Sequence, residues 1–246
     1  MAISIDDVYQ KVLALANKEQ RGYITPQEYI LLANQAQLEM FEQYFYDIDI
    51  VELKLKENTT EYSDRMDILN EKISPFEKFE VAMSAIANTN ELTLPVSVAV
   101  HKLGTVLYNN GDNLDVEIER VEKNDLKYMQ RTSLIAPTYT RPVYVKKTKD
   151  IIKIFPAAPT PGDAYSTSNV TCNYIAKPTN PVWGYTVVNN QALYNSTTST
   201  DFELQASEES ELVYKILELS GIILNKPGLV QLADKEQVEM KNKKLI

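Results

Sequence analysis

The chain has 246 residues, a formal net charge of −9 and 44% hydrophobic residues. This composition is typical of one large or two small globular domains and excludes a disordered chain. Such an acidic chain lacks the clustered Lys and Arg of a general nucleic-acid-binding surface. Cys172 is the only cysteine, and no basic-then-apolar leader or long apolar run is visible. We therefore expect a reduced intracellular protein with no membrane segment.

Two helices are predicted at the start of the chain, because each has its own start signal. Ser4 and Asp7 form a capping-box pattern ahead of the first helix. Thr25 and Glu28 form another ahead of the second helix, which has a proline at its first position and is expected to run to about Tyr46. The predicted buried faces are Ile5, Val8, Val12 and Leu15 in the first helix, and Leu32, Ala36, Met40 and Tyr44 in the second.

A third, strongly apolar helix is predicted near the end of the chain. Ser207 is a suitable N-cap, the next two residues are acidic, and Pro227 with Gly228 ends the pattern. Its apolar residues occupy more than one stripe, so the helix needs cover on several sides. The strongest complementary helices lie at the other end of the chain. We therefore predict an α+β protein in which residues 1–47 and 202–246 form a small helical bundle.

Residues 48–201 are predicted to form an inserted, antiparallel, β-rich region of short strands. Alternation over Ile48–Leu55 and His101–Tyr108 indicates strands, and a tight-turn signal follows at Asn109–Asp112. Seven of the 11 prolines lie between positions 137 and 181, which limits strand length there. Further expected elements are a helix near Met66–Ile73, a strand at Glu91–Leu94, a helix capped by Asn124, a hairpin of Pro142–Val145 with Ile151–Phe155, a strand at Val170–Ile175 and an exposed polar loop over residues 185–200.

We predict no catalytic, cofactor or metal site. His101 is the only histidine, so a zinc site of ordinary composition cannot be assembled. The seven glycines never approach the spacing of a phosphate-binding loop. Carboxylates are abundant, but nothing in the sequence selects two of them as an acid/base pair. The chemistry therefore favours a protein that acts by binding and assembly.

Two groups of residues are candidates for an interaction surface. Lys146, Lys147, Lys149 and Lys153 form a basic run in an acidic chain. They either protect the edge of a sheet or contact an acidic partner subunit or passing DNA. Trp183 and Tyr185 lie near a proline, and as exposed rings they would be stacking platforms for a glycan.

Several strings resemble known phage proteins. Gly22–Tyr29 and Ala33–Glu39 resemble structural proteins of tailed bacteriophages, particularly the crAss-like group. The strings Leu134–Thr138, Arg141–Tyr144 and Ile154–Pro156 are similar to the β-region of head-to-tail adaptor proteins, which include the tail tubular protein A family of short-tailed phages. Asp201–Leu204 followed by Glu211–Leu217 resembles the closing helix of these adaptor proteins.

The resemblance implies a subunit of a ring below the portal, in the neck or tail of a virion assembled in the host cytoplasm. Rings of this family have about twelve copies joined by a heterologous interface. The helical part would dock on the portal protein, and the β-rich part would face the next ring or tail protein. Genomic DNA would pass through the channel without sequence-specific binding. Two alternatives are a peripheral tail protein that binds a receptor or glycan, and a glycosidase with two carboxyl groups about 5 to 9.5 Å apart.

Overall fold

The computed structural model describes residues 3–18, 24–54, 60–86, 89–95, 99–109, 115–156, 169–189 and 191–223, with residues 235 and 238. The described chain is a mixed α and β fold with a large, mostly antiparallel sheet. It divides into unit 1, which comprises Met1–Pro75 and Pro178–Ile246, and unit 2, which comprises Phe76–Lys177. These junctions differ from the predicted ones at residues 47/48 and 201/202.

The described helices and strands follow in chain order. The helices are α1 (Ile5–Lys18), α2 (Pro26–Lys54), α3 (Thr60–Ile73), α4 (Lys123–Arg131) and α5 (Glu209–Ile223). The strands are β1 (Glu77–Ala82), β2 (Ser84–Ala85), β3 (Glu91–Thr93), β4 (Val100–Asn109), β5 (Asp115–Arg120), β6 (Val143–Lys146), β7 (Ile151–Phe155), β8 (Val170–Ala176), β9 (Tyr185–Val188) and β10 (Gln191–Tyr194).

Both predicted capping boxes are supported by hydrogen bonds in unit 1. The Thr25 N–H donates to Glu28 Oε2 at 2.9 Å, and the Glu28 N–H donates to Thr25 Oγ1 at 3.4 Å. These bonds satisfy two N–H groups at the start of α2. The hydrogen bonds that the Glu28 carboxylate accepts from the Thr25 N–H and the Thr25 hydroxyl lower the pKa of Glu28. At α1, the Asp7 N–H donates to Ser4 Oγ at 3.4 Å. The predicted buried faces are confirmed except at Leu15, which is exposed.

Helix α2 is longer than predicted. The strand expected over Ile48–Leu55 is wrong, because α2 continues to Lys54. Val51 is buried and Ile48 is half-buried, and with Tyr44 they follow spacings of four and three residues along one helical face. Helix α3 packs against α2, which brings the chain up to residue 75 into unit 1. The domain junction therefore lies after α3 and not at residue 47.

The two ends of the chain meet within unit 1. The Ile5 N–H donates to Asp201 Oδ1 at 3.0 Å, and the Phe202 N–H donates to the Ile3 carbonyl at 3.1 Å. Tyr29 of α2 donates its hydroxyl to the Ile5 carbonyl at 3.0 Å. Phe202 and Ile5 are fully buried. These bonds join α1, α2 and the segment that leads into α5.

Helix α5 begins at Glu209, one residue later than an N-cap at Ser207 implies. A 3₁₀ turn (Ala206–Glu208) precedes it, so Ser207 lies inside that turn and is not the N-cap of an α-helix. Leu212 and Ile216 are fully buried, and Leu219 is half-buried. Lys215 of α5 pairs with Glu39 of α2 at 3.0 Å. The stop signal at Pro227 and Gly228 lies outside the described residues.

A buried carboxylate ties three elements of unit 1 together. Glu208, 2% exposed, lies in the turn before α5. It accepts a hydrogen bond from the Tyr44 hydroxyl of α2, and Lys72 Nζ of α3 lies 2.7 Å from its Oε1. Burial, with the Glu208 charge, raises the pKa of Tyr44 well above its usual range. These contacts join the turn before α5 to α2 and α3.

The main sheet of unit 2 is closed by one stretch of chain. Its strand order is β1-β8-β4-β5-β6-β7-β3-β2, so the two end strands are consecutive in sequence and flank Met83. The residues Glu77–Ala85 therefore pair with β8 through β1 and with β3 through β2. The enclosed core contains Met83, Leu92, Leu94, Val106, Tyr108, Ile118, Tyr144, Ile152, Ile154, Val170, Cys172, Tyr174 and Ala176.

The predicted hairpin and third strand are confirmed as β6, β7 and β8. The strand neighbours pair antiparallel except for β5 and β6, which are parallel and joined by a connection that contains α4. Leu126 of α4 packs with Val143 and Val145, while Tyr144 faces the enclosed core. Both faces of β6 are therefore covered. Glu122 is the N-cap of α4, so the prediction of Asn124 at that position is wrong.

Residues 185–200 are not an irregular loop. They contain a two-stranded sheet in which β9 pairs with β10, followed by a 3₁₀ turn (Ser196–Thr198). The segment is largely exposed, as predicted, but its polar composition concealed the short strands. The tight turn expected at Asn109–Asp112 lies largely outside the described residues.

Candidate interaction surfaces

The four candidate lysines share the β6–β7 hairpin but do not form one patch. Lys147 pairs with Glu91 of β3 at 2.7 Å, and Lys153 Nζ lies 5.7 Å from the centre of the Phe155 ring. Lys149 is exposed at the turn. Lys146 lies opposite Ile152 in the register and therefore on the other face from Lys153. The four lysines therefore lie in different surroundings and do not act as one basic surface.

Lys146 instead belongs to a groove in unit 2. The groove has two adjoining parts of about 440 and 210 Å³, which share Arg120 and Tyr144 in their linings. The part nearer Lys146 is also lined by Lys102 and by the exposed His101. Cationic groups of β4, β5 and β6 thus meet at one concave surface of an acidic protein.

The alternation of the strands explains how the groove forms. Ile118 on β5 and Tyr144 on β6 point into the enclosed core. Two residues further along each strand, on the same face, lie Arg120 and Lys146, both exposed. Burial raises the pKa of Tyr144, and the nearby Arg120 guanidinium acts in the opposite direction. The floor of the groove therefore contains the Ile118 and Tyr144 side chains, and its rim carries Arg120 and Lys146 together with the acidic Glu117 and Glu119.

The sequence analysis missed Lys102 and Arg120. The signal was present in the pairs Ile118/Arg120 and Tyr144/Lys146, where an inward-facing position changes from apolar to basic at the end of a strand. Lys102 has no comparable signal, because two irregularities in the β4–β8 register change which side of the strand its neighbours occupy.

The expectation that Trp183 is an exposed platform is wrong. Trp183 is 3% exposed, and its indole N–H donates to Asp6 Oδ1 at 2.9 Å. Its ring contacts Tyr9 at 4.6 Å and the half-buried Tyr185 at 5.7 Å between centroids. The adjacent Gly184 is needed for close approach, since a Cβ there would lie 2.8 Å from the Thr198 carbonyl carbon. Trp183 is a structural anchor of unit 1 and offers no stacking face to a glycan.

The described residues contain no cluster of three or more His, Cys, Asp or Glu side chains that could hold a metal ion. Cys172 is fully buried, and this burial raises the pKa of its thiol to about 11. No helix in the described part of the chain combines the length and apolar character needed to cross a membrane.

Comparisons with known proteins do not identify the chain: no protein-family model matches it, and no curated protein matches it.

Proposed function

We propose that this chain is a non-catalytic structural subunit of a tailed bacteriophage virion, in the ring that connects the portal to the tail. The observation that carries the proposal is the joining of the two chain ends in unit 1 while Phe76–Lys177 form a separate β-rich unit. The resemblance to head-to-tail adaptors implies this arrangement: a helical bundle made from both ends, with the β-rich part inserted between them. The helical part would dock on the portal, and the β-rich part would face the next ring or the tail.

The β9–β10 hairpin gives further support, because it exposes the large apolar side chains of Val187, Val188 and Leu193 within one short segment. Apolar side chains that cluster on a surface mark places where proteins associate. A ring of about twelve copies needs two different complementary surfaces on each subunit. The net charge of −9 would keep passing genomic DNA from adhering to the channel wall.

Native mass spectrometry tests this proposal directly. The purified chain is measured alone and after mixing with the portal protein of the same phage, over a series of concentrations. A closed ring gives one discrete multimer, alone or only on the portal, whereas non-specific association gives a ladder of masses. A persistent monomer that ignores the portal would refute the connector function.

A further inference from the structure

The closed sheet of unit 2 has a gap in its strand pairing. Strand β4 pairs with β8 along most of its length but with β5 only over Val106–Asn109. In the described chain, Lys102 and Leu103 pair only with β8, and Gly104 and Thr105 form a bulge opposite Asn173 of β8 with no register partner in β5. The end of β5, Glu119–Arg120, turns away and pairs with β6. An unpaired strand edge is a template for one more strand.

The cationic groove lies along this gap. Gly104 and Thr105 of β4 line one end of it, together with Ile118 of β5. Lys102 and Tyr144 line the other end. An extended peptide placed here would present alternate side chains to the apolar floor and to the rim, as peptides do when they add to an exposed sheet edge.

The charge of the rim indicates which peptide fits. The groove is lined by the cationic Lys102, Arg120, Arg141 and Lys146 and by the acidic Glu117 and Glu119. Arg141 lies 4.0 Å from Glu119, so these two largely offset one another. Lys102, Arg120 and Lys146 have no ion-pair partner among the described residues. A complementary ligand therefore carries carboxylates.

We infer that the gap between β4 and β5 is a strand-addition site for an extended acidic segment of a partner protein. The segment pairs its backbone with Lys102–Thr105 and places carboxylates beside Lys102, Arg120 and Lys146. Charge gives the site its preference for acidic sequence, and the strand edge gives it the preference for extended backbone. The inference rests on unit 2 alone and does not depend on the connector proposal.

The test measures fluorescence polarisation of a labelled octapeptide in which glutamate and valine alternate, titrated with the full chain. We expect saturable binding that weakens about tenfold in the Arg120→Glu and Lys146→Glu variants, as for loss of one charge-assisted contact. Lys149→Glu is the matched control: it makes the same charge change at an exposed position of the same hairpin, outside the groove. Thermal melting of each variant establishes that unit 2 remains folded.

Two further probes separate strand addition from simple anion binding. A glutamate–valine octapeptide with N-methylated backbone amides keeps the charge but cannot pair, so we expect it not to bind. Hydrogen exchange at Lys102–Thr105 should slow when the unmodified peptide is bound. The inference is overturned if the N-methylated peptide binds equally well, if Lys149→Glu weakens binding as much as Lys146→Glu, or if single-stranded DNA binds the groove and the acidic peptide does not.

Discussion

The substitution Glu208→Gln tests whether the buried carboxylate holds unit 1 together. The change keeps the shape of the side chain and an oxygen that can accept the Tyr44 hydroxyl hydrogen bond. It removes the charge that faces the Lys72 ammonium, whose side chain is only 14% exposed. Lys72 would then remain in α3 with little water and no counter-charge.

The expected loss of stability follows from these contacts. Removing one charge of a buried ion pair costs about 3–5 kcal/mol when the other charge is left without compensation. Lys72 keeps some access to water, so Glu208→Gln should lower the free energy of unfolding of unit 1 by a smaller amount, about 2 kcal/mol. Glu208→Ala also leaves the Tyr44 hydroxyl without its acceptor, and we expect a loss of about 3–5 kcal/mol. Lys72→Met combined with Glu208→Gln should recover most of the loss, because no ammonium is then left unpaired.

Trp183 provides the assay. It is the only tryptophan and is buried in unit 1, so its fluorescence during urea titration reports that unit. Glu42→Gln, an exposed change on α2, is the control and should stay within about 0.5 kcal/mol of the parent. The reasoning is refuted if Glu208→Gln behaves like this control, or if adding Lys72→Met makes the loss larger.

Three other predictions concern packing, capping and titration. Ile216→Asp places a charge at a fully buried position and should abolish the Trp183 fluorescence transition of unit 1; an unchanged thermal melt would show that α5 is not core. Thr25→Ala removes a capping bond and should cost about 1 kcal/mol in the same urea titration. Cys172 has a pKa raised from 9.0 to about 11 by burial, so the unfolded chain releases its proton first as pH rises. The stability of unit 2 should therefore decrease as the pH rises through the range between these two pKa values. A Cys172→Ala variant should lose this part of the pH dependence. At pH 8 a thiol reagent should label Cys172 only on unfolding.

Several signals that act over a few residues predicted the structure correctly, although the caps expected at Asn124 and Ser207 did not. The Thr25–Glu28 box depends on groups three residues apart, and the β6–β7 hairpin depends on two adjacent runs. The interpretation of Ile48–Leu55 as a strand failed because a short apolar pattern fits either period. The segment is helical because Val51 continues the buried face of α2.

The candidate surface depended on contacts between distant residues. Lys146 was predicted as part of a basic run, but the structure pairs Lys147 with Glu91 and places Lys146 in a groove with Lys102 and Arg120. Trp183 was expected to be an exposed stacking platform together with Tyr185, near Pro181. Its burial comes from Asp6 and Tyr9, which lie far away in sequence.

The starts of α1 and α2, the hairpin of β6 and β7, and the apolar character of α5 could be predicted from the sequence, because caps, turns and periodicity involve neighbouring residues. Tertiary contacts were needed to show that α3 and Pro178–Asp201 belong with the chain ends, that Glu77–Ala85 closes the sheet, and that the pairing of β5 with β4 ends at Ile118. Each of these depends on pairing between groups far apart in the chain, and no local pattern records which distant partner a strand edge or a buried carboxylate will meet.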